Sequence, residues 1–143
     1  MEINIGFIGY SDTKFNLEKA NEIIDDIFDE IISKYSKRYD VINIISGATN
    51  IGIPSMVYNK TVKENENSIC SFNTIGIMCK DGYNYELFPC DVIYAVGNNW
   101  GDESETFLSK INVLYKIGGG KQSIEEYSKA CKNKEIICRE YNL

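Results

Sequence analysis

Along this chain short apolar runs alternate with longer stretches in which apolar residues recur every three or four positions. Ile3-Asn4-Ile5-Gly6-Phe7-Ile8-Gly9-Tyr10 is a brief run ending in glycine and a polar turn, as a buried parallel strand does. After the loop 11–15, Asn16 is placed to cap a helix from Leu17 to Tyr35. Within it Leu17, Ala20, Ile23, Ile24, Ile27, Phe28, Ile31 and Ile32 form one apolar face. The pattern next predicts a strand over 41–45, a helix over 54–63 that opens with Pro54, and a polar loop over 64–68. A strand over 71–78, an irregular segment over 80–89 and a strand over 91–96 follow. The last elements expected are a helix over 103–109, a strand over 112–117, a helix over 124–131 and a strand over 135–138.

Strands alternating with helices imply right-handed βαβ units. The expected fold is therefore a single α/β domain over residues 1–143, Rossmann-like and doubly wound. Its sheet is mostly parallel, with five or six strands and flanking helices. No internal repeat, low-complexity tract or linker interrupts it.

Composition narrows the function more than the fold. With 43% hydrophobic and 25% charged residues the chain has globular composition. No apolar run approaches the roughly 20 residues of a membrane span, and the start Met1–Phe7 lacks the basic stretch of a signal peptide. The expectation is a cytoplasmic protein without a membrane partner. A net charge of −6 with no basic stripe disfavours a nucleic acid polymer. Cys70, Cys79, Cys90, Cys131 and Cys138 are odd in number, show no C-x-x-C spacing and have no histidine beside them, so core thiols are expected rather than a metal site or disulfides. The lack of histidine also removes the commonest general base. No cofactor is expected.

Candidate chemistry lies in the loops that follow the strands. Four of them carry glycine: Gly9-Tyr10-Ser11, Gly47-Ala48-Thr49-Asn50-Ile51-Gly52, Gly97-Asn98-Asn99-Trp100-Gly101 and Gly118-Gly119-Gly120-Lys121-Gln122-Ser123. In an open α/β sheet all four stand at one edge, where glycine lets backbone approach a phosphate and a following helix aims free amides at it. Neither G-x-x-x-x-G-K-[ST] nor G-x-G-x-x-G occurs, which argues against a P-loop and a standard NAD site.

The stretch Gly118–Glu126 resembles the P-G-G-x-G-T-x-x-E signature of the LOG ("lysine decarboxylase-like") proteins of the SLOG superfamily, and Ser46–Pro54 resembles that superfamily's earlier glycine-rich loop. The resemblance matches Gly119 and Gly120 to the paired glycines, Ser123 to the threonine, Glu126 to the glutamate, and Gly47 and Gly52 to glycines of the earlier loop. It implies a Rossmann-like nucleotide-binding domain, a homodimer or higher oligomer, and either phosphoribohydrolase activity or sensing of ADP-ribose-derived signals. Gly118 and Gln122 stand where the signature has proline and its later glycine. The arginine that the hydrolase branch carries on the helix before the motif strand has no counterpart, for the only arginines are Arg38 and Arg139.

Single residues keep two readings each. Ser123 and Glu126 have the spacing of a capping box as well as of the motif, and Asp102 and Glu105 show the same spacing. Asp102, Glu103 and Glu105 suit either a helix dipole or ribose hydroxyls. Trp100 and Tyr10 are stacking surfaces or loop anchors. Lys14 and Lys121 are the cations best placed for phosphate, or solvated surface, while Ser11 and Asn50 donate to phosphate or close local turns. The expectation taken forward is non-catalytic binding, sensing or sequestering a nucleotide or ADP-ribose-derived signal. A phage protein that soaks up a host's immune nucleotide signal would have this form. The alternatives are a nucleoside 5'-monophosphate N-glycosidase using Glu126, and an interaction module without ligand.

Overall fold

The computed structural model describes residues 1–143. Strands β1 (Glu2–Gly9), β2 (Val41–Ser46), β3 (Ser71–Met78), β4 (Val92–Ala95), β5 (Val113–Ile117) and β6 (Ile137–Tyr141) alternate with helices α1 (Leu17–Tyr35), α2 (Gly52–Asn67), α3 (Ser104–Lys110) and α4 (Lys121–Cys131). A short 3-10 turn, Lys80–Asn84, stands where the third crossover would have a helix. The six strands form one all-parallel sheet in the order β4-β3-β2-β1-β5-β6. The doubly wound α/β fold expected from the alternating pattern is thus present. No helix is long and apolar enough to cross a membrane.

The side-chain alternation of β1 divides the core. Ile3, Ile5 and Phe7 face α1 and α2, together with Ile42, Ile44, Phe72, Val113 and Tyr115. Ile8, Ile45, Ile77 and Leu114 face the other way, against Phe107, Ile111 and Ala130 from the α3–α4 layer. Helix α1 begins where its cap requires, with Asn16 Oδ1 accepting from the Lys19 amide at 3.0 Å.

Three boundaries differ from the sequence expectation by three residues or more, each for an identifiable reason. Helix α2 runs on to Asn67 because its polar end is tied down: Lys60 pairs with Glu64 at 2.9 Å and with Asp25 at 3.1 Å, and Asn65 Oδ1 accepts from the Phe72 amide at 2.9 Å. Helix α4 begins three residues early, at Lys121, because Gly118 and Gly119 turn the chain with φ of +60° and +111°. Strand β6 extends through the polar residues Arg139 and Glu140 because the ladder to β5, not apolar character, defines an edge strand. The cysteines are all free; Cys70 and Cys79 are buried as expected, whereas Cys131 is exposed at the end of α4.

The face below α3 carries a row of asparagines. Asn4, Asn43 and Asn73 are register partners across β1, β2 and β3. Asn73 Nδ2 donates to Asn43 Oδ1 at 3.2 Å, Asn43 Nδ2 to Asn4 Oδ1 at 2.8 Å, and Asn4 Nδ2 to the Lys110 carbonyl at 2.8 Å.

On the opposite face, buried Tyr115 reaches across to α1 and donates from its hydroxyl to Glu30 Oε2 at 2.7 Å. That bond is the main cause holding the Glu30 carboxyl below the usual glutamate range; burial opposes it and Lys34 reinforces it. A lowered folded pKa stabilises the fold above the unfolded glutamate range and ceases to do so as pH falls through the folded value. Tyr115→Phe is therefore expected to cost about 1 kcal/mol at neutral pH and less in acid. Urea melts of both proteins at the two pH values check this, and an equal loss at both would contradict it.

Candidate functional site

The strand order places a crevice beside β1. The chain leaves β1 toward β2 on one side and returns through β5 on the other, so the loops beyond the carboxyl ends of β1 and β5 diverge. A second cause lies within the sheet. Strand β1 pairs with β5 as far as Gly9↔Ile117, but with β2 only as far as Gly6↔Ile45. Beyond that point the Ser46 hydroxyl donates to the Phe7 carbonyl at 2.7 Å, and β2 turns away. The segment after β2 is then drawn toward residues 86–88, with Phe88 N donating to Ala48 O at 2.9 Å and Thr49 bridging to Leu87.

The resulting cleft has a volume of about 430 Å³, within the range of small-molecule sites. Its wall takes Gly9, Tyr10, Ser11 and Asp12 from the loop after β1, and Ser46, Gly47, Ala48 and Thr49 from the loop after β2. Trp100 and Glu103 come from the loop before α3, and Gly120, Lys121, Gln122, Ser123 and Glu126 from the start of α4. Pro54, Ile77, Met78 and Phe107 contribute apolar surface.

Among the residues singled out in the sequence, Lys14, Asn50, Gly52, Asn98, Asn99, Asp102, Glu105, Gly118 and Gly119 lie off this wall. Most of them shape it. Gly52 has φ of +70° and packs on the Tyr10 carbonyl, which also accepts from the Ile53 amide at 2.8 Å, so the start of α2 is spent on holding the β1 loop. Asp102 Oδ2 accepts from the Asn98 and Asn99 amides, each at 3.0 Å, and closes their turn. Asn50 accepts from Ser55 Oγ at 2.7 Å and donates to Glu86 at 3.3 Å. The Lys14 amide donates to Asp12 Oδ1 at 2.9 Å. The ring of Tyr10 packs over Gly118 and stacks on Phe15 at 5.6 Å, so this tyrosine anchors its loop as well as lining the cleft.

Two glycines on the wall are not accounted for by the chain itself. Neither Gly47 nor Gly120 has positive φ, and a Cβ built on either would meet no atom within 4 Å. They flank the end of β1, one after β2 and one after β5. Room is kept on both sides of the central strand where a side chain would otherwise intrude.

Helix α4 presents its amino end to this space. Its first intrahelical bond runs from Ile124 N to Gly120 O, so the amides of Lys121, Gln122 and Ser123 precede the ladder. Because the helix starts at Lys121, Ser123 and Glu126 do not form a capping box. Ser123 Oγ instead donates to the Gly9 carbonyl at 3.4 Å, and Glu126 Oε2 accepts from Ser104 Oγ at 2.7 Å. Asp102 and Glu105 are likewise not a capping pair, since Glu103 holds the cap position of α3 and no side chain bonds there.

Glu103 and Glu126 are both buried, at 6% and 7% exposure. Glu103 accepts from the Gly101 amide at 3.1 Å and from Gln122 Nε2 at 3.0 Å. Burial pushes the Glu126 carboxyl above its ordinary range; Ser104 and Gln122 pull it down, and the nearby Glu103 charge pushes it up again. With Asp12, three carboxyl groups line the cleft against one ammonium, Lys121. Such a wall suits hydroxyl donors near the acids and an anion near the α4 amides. Asp12 and the apolar Ile77, Met78 and Phe107 were not legible as site residues, because they read as turn and core; the one signal was Ser46, next to a glycine-rich loop.

Gly47→Ala and Gly120→Ala are expected to leave the melting temperature nearly unchanged, because the added methyl meets no protein atom. Gly9→Ala is expected to lower it by several degrees, because its Cβ would collide with the Ile117 carbonyl and Ile53. Thermal melts distinguish the three, and equal destabilisation by all would show that Gly47 and Gly120 serve the fold. For Glu126 a raised folded pKa means that the ionised carboxylate costs stability as pH rises through that value. Glu126→Gln is therefore expected to melt higher than the parent at neutral pH, with the gain shrinking in acid; a lower melting temperature would refute this.

No protein-family model matches the chain, and a search of curated proteins found no match. Among solved structures it is similar to TM1055, a structural-genomics target with an X-ray structure. The two share 18% identity, the likeness covers 90% of this chain and 68% of that one, and the TM-score is 0.66. At this identity the likeness shows the fold, a Rossmann-like parallel α/β sheet.

Proposed function

We propose that the cleft binds a nucleotide or an ADP-ribose-derived signalling molecule and holds it without turnover, as a sensor or a sequestering protein. The observation that carries this reading is the open space beside Gly47 and Gly120, because the chain has no other use for glycine there. The amides of Lys121, Gln122 and Ser123 supply a seat for one phosphate group, with Lys121 beside it. Glu103 and Glu126 supply acceptors for a ribose diol. The excess of carboxyl groups over cations disfavours a long phosphate chain, so a triphosphate is expected to bind more weakly than a monophosphate. The motif resemblance of residues 46–54 and 118–126 to SLOG proteins supports the same ligand class.

Binding without turnover is favoured by the cations present. Neither arginine lines the cleft: Arg38 lies over the ring of Tyr39, and Arg139 is on β6. Only Lys121 is left to stabilise charge at a departing group. One observation favours the second reading, an N-glycosidase. A buried carboxyl with raised pKa, as at Glu126, is the kind of group that donates a proton to a leaving base.

A thermal-shift screen against AMP, ADP-ribose, cyclic ADP-ribose isomers, NAD and cyclic dinucleotides, with chromatography of each ligand afterwards, tests both. A ligand at a hundredfold its Kd adds about 2.7 kcal/mol to stability. The expected outcome is such a shift with intact ligand recovered, abolished by Gly120→Ala. Release of free base would replace binding by glycosidase activity, and no shift with any ligand would refute both readings.

A further inference from the structure

Two aromatic side chains stand in solvent at the rim of the cleft. Trp100 is 50% exposed and Tyr85 59% exposed, with ring centroids 5.8 Å apart and planes at 63°. This is an edge-to-face pair built from separate loops. Neither loop is slack. Lys80 N donates to Gly97 O at 2.9 Å, Asp102 holds the Asn98 and Asn99 amides, and Glu103 holds that of Gly101. On the other side Tyr85 N donates to Gly82 O at 3.1 Å, and the neighbouring Glu86 carbonyl accepts from Asn50 N at 2.9 Å. The chain's only tryptophan is thus kept half in water on ordered backbone, where folding gains little from it. Exposed Tyr94, away from the cleft, has the Lys110 ammonium 4.9 Å from its ring centre, whereas no side-chain cation lies over Trp100.

We propose that Trp100 is the stacking surface for a planar heteroaromatic base and that Tyr85 sets the plane of the indole. The ligand is then a base-bearing nucleotide rather than a sugar phosphate. This inference rests on the proposed reading of the cleft. It assigns the two ends of one ligand to two kinds of surface. The polar group sits among the α4 amides and the two glutamates, and the base sits at the rim. Trp100 lines the cleft and Tyr85 does not, so Tyr85 is a positioning residue that acts through the indole. Its edge contact uses the ring and leaves the hydroxyl unused, so phenylalanine suffices in its place.

Because Trp100 is the sole tryptophan, its emission reports on the rim alone. The test titrates AMP, ADP-ribose and ribose 5-phosphate into the parent protein and into Trp100→Ala, Tyr85→Ala and Tyr85→Phe, following emission where Trp100 is present and heat in all four. AMP and ADP-ribose are expected to change the emission and to bind about ten- to a hundredfold more tightly than ribose 5-phosphate, the margin of one stacked base. Trp100→Ala should remove that margin, bringing AMP and ADP-ribose to the affinity of ribose 5-phosphate; Tyr85→Ala should remove part of it, and Tyr85→Phe should keep it. Equal binding of all three ligands to the parent, or emission unchanged at saturating AMP, would overturn the stacking proposal and leave the cleft reading standing, whether or not any variant folds. Binding of none of the three, with no shift from any ligand of the thermal screen, would overturn both.

Discussion

Strand β1 is hydrogen-bonded along both edges, and the two ladders are offset: toward β2 they involve its first half, toward β5 its second. Much of the molecule follows from that offset. A parallel strand cannot be joined to its neighbour by a tight turn, so every connection must travel over a face. Helices α1 and α2 cover one face while the chain moves outward to β4, and α3 and α4 cover the other on the return. The carboxyl end of β1 is left as the one place where both directions meet. The early parting of β2, with the Ser46 hydroxyl bonded to the Phe7 carbonyl, widens that place into a cleft without leaving a buried polar side chain unpaired.

What could be read from the chain beforehand divides along the range of the interactions. Helix α1 was legible to the residue because its cap and its apolar stripe are both local signals. The inner strands β1, β2 and β5 were legible because both faces are largely buried and the runs are short and apolar. The starts and ends that moved did so through partners distant in sequence, such as Asn65 on Phe72 at the end of α2. The site shows the same division. Its glycine-rich loops stand out locally, whereas the contacts that link Glu103, Gln122, Glu126 and Ser104 cross the β5 strand and 19 or 22 residues of chain. No spacing rule for a single segment reveals such a set. Tyr85 was equally hidden, since nothing near it in sequence points to Trp100.

The glycines of these loops are of two kinds. Gly52, Gly118 and Gly119 adopt backbone conformations that a side chain would strain, and their neighbours fill the space where one would go. Gly47 and Gly120 do neither. A motif that lists all of them as equivalents merges residues that build the cleft with residues that leave it empty. Glu126 adds a related point from the side of energy, because burial pushes its carboxyl above the ordinary range and so works against its charge.

The row Asn4–Asn43–Asn73 has a bearing on how such a sheet assembles. Parallel strands distant in sequence pair slowly and have many near-correct alignments to try. An alignment shifted by one residue turns every side chain of a strand to the opposite face. Here that shift would carry Asn43, now almost fully buried and bonded on both sides, into the apolar layer beneath α1 with neither partner present. The cost of a buried amide without partners makes the misaligned state dissolve rather than persist. The three asparagines thus weigh against a one-residue misalignment of β1, β2 and β3, adding a polar check on register to the apolar pattern of the faces.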